Sequence, residues 1–115
     1  MKIAVSAKGE SLVSEVDPRF GRAAWFLAFE TDDGTWQAVN NTIAISATHG
    51  AGIQSAETVC RLGAGAVISG HIGPKAFAVL AAGGVKVYQG DARTVQMAID
   101  DFKGGRLPEI ERSNG

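Results

Sequence analysis

With 115 residues, a formal net charge of −1 and no run of like charges, the chain fits one domain and argues against a nucleic-acid-binding face. Hydrophobic residues make up 45% of it, which places it with globular rather than disordered chains. A single cysteine excludes an internal disulfide, no CxxC or Cys/His ligand spacing occurs, and no apolar run nears the roughly 20 residues that span a bilayer.

Lys2–Ala7 reads as a first strand, with Ile3 and Val5 on one face and the small Ala4 and Ser6 on the other. Ile3, Ala4 and Val5 form too short a run for a signal peptide, so the expected location is cytoplasmic. Residues 8–24 form a long connection that carries Asp17, Pro18, Arg19, Phe20, Gly21 and Arg22. Trp25–Glu30 is a second, almost wholly apolar strand. The sequence Asp32, Asp33, Gly34, Thr35 is a hairpin signal, and residues 36–41 return as a looser, more polar strand expected at the sheet edge.

Residues 47–52 (ATHGAG) make a glycine-rich loop, followed by a helix over residues 52–62 with Ile53, Ala56, Val59 and Cys60 as its apolar stripe. Gly63 suits a left-handed cap. Residues 66–69 (AVIS) are a fourth, buried strand. Gly70, His71, Ile72 and Gly73 then turn into a helix that Pro74 opens and that runs to Ala82. A fifth strand covers residues 85–88. A third helix follows, with Asp91 as the expected N-cap and Val95, Ala98, Ile99 and Phe102 on its apolar face. Residues 1–105 thus read as a single domain and residues 106–115 as a polar, frayed tail.

The order βββαβαβα implies a parallel sheet with one antiparallel hairpin member. Right-handed crossovers place the first two helices on one face and leave the other for the third. In such sheets ligands bind beyond the carboxyl ends of the parallel strands. The loops at that edge carry Asp17, Arg19, Arg22, His49, His71, Lys75, Asp91 and Arg93. The loop before Pro74 matters most, because a strand there runs through glycines into a helix start whose N–H groups face outward and suit an anion.

Three segments in this order, DPRFGRA (Asp17–Ala23), THGAGIQ (Thr48–Gln54) and SGHIGPKA (Ser69–Ala76), resemble the dinitrogenase iron–molybdenum cofactor biosynthesis family, and the likeness runs from Lys2 to Phe102. The resemblance implies a ribonuclease H-like, three-layer α/β/α fold with a five-stranded mixed sheet of order 3-2-1-4-5, strand 2 antiparallel. It also implies a small stand-alone relative of the NifX- and NafY-like carriers. Such a protein would be a non-catalytic carrier or chaperone in nitrogen fixation. Its cargo would be an iron–sulfur cluster or a precursor of the iron–molybdenum cofactor, and its partners nitrogenase or other metallocofactor-assembly proteins. It is expected to be a monomer or weak homodimer, Trp36 on the edge strand being the one exposed aromatic that hints at a contact.

On this reading His71 and His49 are the candidate metal ligands, since a neutral imidazole binds iron and neighbouring glycines let a bulky cluster approach. The alternative for each is a loop histidine hydrogen-bonded to backbone. Gly50, Gly70 and Gly73 serve turn geometry or close approach, and Arg19, Arg22 and Lys75 either neutralise the cargo or are ordinary solvated charges. Cys60 reads as a buried, inert thiol on a helix stripe, and Phe20 as a loop anchor. Two other function classes use the same edge. One is a phosphate- or nucleotide-ligand binding protein. The other is a metal-dependent hydrolase drawing on Asp17, Asp91 or Glu57, disfavoured because the first and fourth strands carry no acid.

Overall fold

Strand β1 (Lys2–Ala7) lies near the middle of the sheet, and all but its first residue are buried. The computed structural model describes residues 1–42 and 50–114. The antiparallel neighbour of β1 is β2 (Trp25–Glu30), with Val5 opposite Leu27, and β3 (Trp36–Asn40) pairs with β2 at the edge. On the other side β1 pairs in parallel with β4 (Ala66–Ser69), and β4 with β5 (Lys86–Gln89).

The five-stranded sheet expected from the sequence is extended by a sixth strand. β6 (Glu109–Ile110) pairs antiparallel with Val87 and Tyr88 of β5, which makes the order β3-β2-β1-β4-β5-β6. The segment expected to fray is therefore partly docked. Two residues are too few to show a period of 2, and they pair because β5 would otherwise leave an open edge. Leu107, only 8% exposed, anchors the approach to that strand.

Helix α1 (Ala51–Arg61) buries Ala56 and Val59 of the expected stripe, with Cys60 half-buried against them, but Ala51 and Ser55 complete the buried face and Ile53 lies outside the core. Helix α2 (Pro74–Ala82) opens on its proline, which lacks only an N–H that the first turn would leave without a helical acceptor. Helix α3 (Val95–Lys103) begins three residues later than an Asp91 cap would start it. Ala92 sits at φ +63, outside the helical region, and Thr94 supplies the cap, its hydroxyl accepting from the Met97 N–H at 3.2 Å.

The alternation of β1 sorts the core into two layers. Ile3 and Val5 pack with Leu27, Ile68 and the Val95, Ala98 and Ile99 stripe of α3. Ala4 faces the opposite way, where Phe26, Val67 and Val87 meet Ala56 and Val59 of α1 and Ala76 and Leu80 of α2. Among the described residues α1 and α2 cover one face and α3 the other, as the crossover rule predicts. Among the described residues no helix is long and apolar enough to cross a membrane.

Candidate functional site

The long connection after β1 is held tightly where it passes the sheet. The Asp17 N–H donates to the Ser6 carbonyl at 2.8 Å. The Ser6 hydroxyl lies 2.7 Å from both the Asp17 carbonyl and the Ser69 hydroxyl. Ser6, Asp17 and Ser69 are all buried, so this polar knot joins β1, β4 and the connection where water cannot compete. The Asp17 carboxylate then turns the chain, accepting the Arg19 N–H at 2.9 Å. A short 3-10 turn, Phe20–Arg22, follows.

Phe20 anchors that turn, as its place in the sequence suggested. It is 1% exposed, and its ring lies 5.3 Å from that of Phe26 on β2. The loop after β4 docks beside it through backbone. The His71 N–H donates to the Pro18 carbonyl at 2.6 Å, and the Phe20 N–H to the His71 carbonyl at 3.2 Å. Gly70 permits this approach, because a Cβ there would lie 2.7 Å from the Pro18 oxygen and 2.8 Å from its Cα.

These contacts bring three chain turns together around an open cleft of about 710 Å³. Its walls are Phe20, Gly21 and Arg22 of the 3-10 turn, residues 50–53 at the start of α1, and residues 73–76 at the start of α2. Gly50 and Gly73 are the N-cap residues of these helices and have no side chain with which to cap them. Neither helix has an acidic residue in its first turn. The first-turn N–H groups lack intrahelical acceptors, so two positive helix ends meet at one mouth, with Arg22 and Lys75 on its rim.

The expected edge is thus only partly one site. Arg22, Gly50, Gly73 and Lys75 line the cleft. Gly70 is buried behind it, and Arg19 and His71 form a parallel bridge alongside, both exposed. His49 lies outside the described residues. Arg93 is turned away, its Nη1 2.6 Å from an Asp101 carboxylate oxygen on α3. Arg106 and then Arg93, by hydrogen bonding, hold the Asp101 carboxyl below its usual range. Glu57 lines a separate groove of about 550 Å³ between α1 and β3. Cys60 is half-buried, packed against the α1–α2 side of the core.

Among the described residues no three His, Cys, Asp or Glu side chains come together as a metal cage. What the cleft presents is backbone N–H and basic side chains set among small and apolar residues, Phe20, Ile53 and Pro74 included. Such a surface suits a large anionic group taken up without a closed ligand shell. Sequence reasoning missed Asn114. Its side chain bonds both Gly70 and Ile72, across a separation of more than forty residues that no local pattern reveals.

A mixed α/β sheet with glycine-capped helix starts converging on one open cleft defines a small α/β protein with a single-domain binding surface at its strand ends. The chain belongs to the family described as dinitrogenase iron-molybdenum cofactor, which it matches over residues 1–105. It is similar to the orange protein of Desulfovibrio gigas, solved in its apo form, at 40% identity and a TM-score of 0.96, covering 99% of this chain and 96% of that one. A Thermotoga protein described as a candidate NifB protein of the DUF35 family is 37% identical, with a TM-score of 0.87 over 99% of this chain and 97% of that one. An uncharacterized protein of Methanocaldococcus jannaschii is 32% identical over 114 residues, 96% of this chain and 92% of the relative.

Proposed function

We propose that this protein is a non-catalytic, cytoplasmic carrier. It would hold an iron–sulfur-containing metallocofactor, or a precursor of the iron–molybdenum cofactor, and pass it to an assembly partner. The observation that carries this reading is the convergence of two glycine-capped helix starts with Arg22 and Lys75 on one open cleft. The family's link to the iron–molybdenum cofactor supports it. So does the apo form of the related orange protein, since that description implies a ligand that can be removed.

The chemistry fits release as well as capture. Sulfide-bridged clusters are anionic, and N–H groups with basic side chains offset that charge without covalent bonds. His71, exposed beside the cleft, supplies one imidazole ligand, and His49 is the second candidate. One or two protein ligands hold a cluster less firmly than a closed shell, which suits a protein that must give its cargo up. Gly50 and Gly73 contribute by backbone approach and Arg19 and Lys75 by charge, whereas Gly70 is covered by Pro18 and serves the geometry of the His71 loop.

The test is anaerobic titration with isolated iron–molybdenum cofactor, followed by visible absorbance and electron paramagnetic resonance, with His71→Ala in parallel. Saturable binding that the substitution weakens supports the carrier and the ligand together. Binding that ignores it moves the ligand to His49. No binding, alongside thermal protection by ATP or inorganic phosphate, replaces the carrier with a phosphate-ligand protein using the same N–H groups.

A further inference from the structure

The segment after β6 returns to the candidate site. Asn114 lays its side-chain amide across the loop that carries His71. Its Nδ2 donates to the Gly70 carbonyl at 2.9 Å, and its Oδ1 accepts the Ile72 N–H at 2.9 Å. The Asn114 backbone N–H donates to the Ile72 carbonyl at 3.2 Å. Its own carbonyl oxygen stands 3.5 Å from His71 Nδ1.

The loop is thereby held on two sides. Pro18 and Phe20 engage the backbone of His71, and Asn114 engages the residues immediately before and after it. An amide that both donates and accepts to one strand of backbone mimics β-pairing, which a shorter or charged side chain reproduces only in part. The imidazole itself remains exposed.

A neutral imidazole carries one proton, and the free ring prefers it on Nε2. A carbonyl oxygen only accepts hydrogen bonds, so one placed beside Nδ1 favours the Nδ1–H form and leaves the Nε2 lone pair free. Histidines that bind metals are oriented in this way, by an acceptor at the nitrogen not used for binding.

We propose that Asn114 is the positioning residue for His71: its amide clamps the loop, its carbonyl faces Nδ1 and biases the ring toward the Nδ1–H tautomer, and Nε2 keeps its lone pair for a ligand beside the cleft. What Nε2 meets there rests on the carrier reading. The tautomer does not.

The experiment is long-range proton–nitrogen correlation on the histidine rings of the full-length protein, well above the ordinary imidazole pKa of about 6.5. A spectrum of His71→Gln assigns the signals. The expected result is a predominant Nδ1–H form in the unsubstituted protein. Asn114→Ala shifts the ring toward Nε2–H and speeds exchange of the Ile72 amide, and Asn114→Asp, which keeps the acceptor for Ile72, lies between. A majority of Nε2–H in the unsubstituted protein, or a ratio that Asn114→Ala leaves unchanged, overturns the proposal. A role confined to stability would lower the unfolding midpoint without moving that ratio.

In the cofactor titration, Asn114→Ala is expected to weaken binding about 10- to 100-fold, as loss of a ligand-orienting partner does. Absence of binding in the unsubstituted protein sinks the carrier reading, and the tautomer ratio still decides the role of Asn114.

Discussion

Gly21 and Gly52 meet backbone to backbone: a Cβ on Gly21 would stand 3.0 Å from both the Cα and the N of Gly52. The contact seats the 3-10 turn against the first turn of α1 and so sets the width of the cleft they share. Gly21→Ala forces backbone apart where no side chain can move aside. We expect a loss of about 1–3 kcal/mol, typical of overpacking, read by urea denaturation. A change below about 0.5 kcal/mol, the range of neutral surface substitutions, would show that the turn is loosely seated.

Gly70 and Gly73 flank the same loop but should respond differently. A Cβ at Gly70 collides with Pro18, whose carbonyl accepts the His71 N–H, whereas a Cβ at Gly73 meets nothing within 4 Å. Gly73 is also at φ −70, which any residue adopts. Gly70→Ala is expected to abolish hydrogen-exchange protection of the His71 amide and to destabilise the fold. Gly73→Ala should leave both unchanged. Equal effects from the two would contradict this account of the loop.

Ser6 tests the buried knot beneath the site. Ser6→Ala removes the hydroxyl lying 2.7 Å from the Asp17 carbonyl and the Ser69 hydroxyl. Leaving buried partners unsatisfied costs about 1–3 kcal/mol. Because the two serines share one network, Ser6→Ala with Ser69→Ala should cost less than the sum of the single changes. Strict additivity in denaturation experiments would mean that they act independently.

Asp101 links acid stability to α3. Arg106 and Arg93 hold its carboxyl below the ordinary 3.8, so the folded state favours its charged form. The resulting stabilisation is complete above the unfolded value and is lost as pH falls through the depressed folded one. Asp101→Asn should therefore melt lower than the unsubstituted protein at neutral pH, and the gap should close in strong acid. A gap that persists at the lowest pH would point to shape rather than charge.

Lys75 provides the electrostatic test of the cleft. Lys75→Gln should weaken binding of isolated iron–molybdenum cofactor and make that binding less sensitive to added salt, because one cation at the rim has gone. An unchanged salt dependence would place the cargo away from α2.

The sequence alone determined most of the scaffold. Alternating apolar residues in β1, the continuous apolar run of β4 and the helical spacing of Val95, Ala98 and Ile99 are local periodicities, and local periodicity follows from backbone geometry. The glycines and Pro74 marked the helix starts at the site for the same reason, and the family's motifs run through those turns. Tertiary structure alone decided what those turns touch. Gly21 against Gly52, Gly70 under Pro18 and Asn114 across the His71 loop are contacts between distant residues, and nothing in either local segment specifies its partner. It also decided that Arg93 turns to Asp101 rather than to the cleft, and that residues 109–110 close the β5 edge. An isolated charge or a two-residue strand has no intrinsic preference strong enough to choose its neighbour, so the packed fold makes the choice.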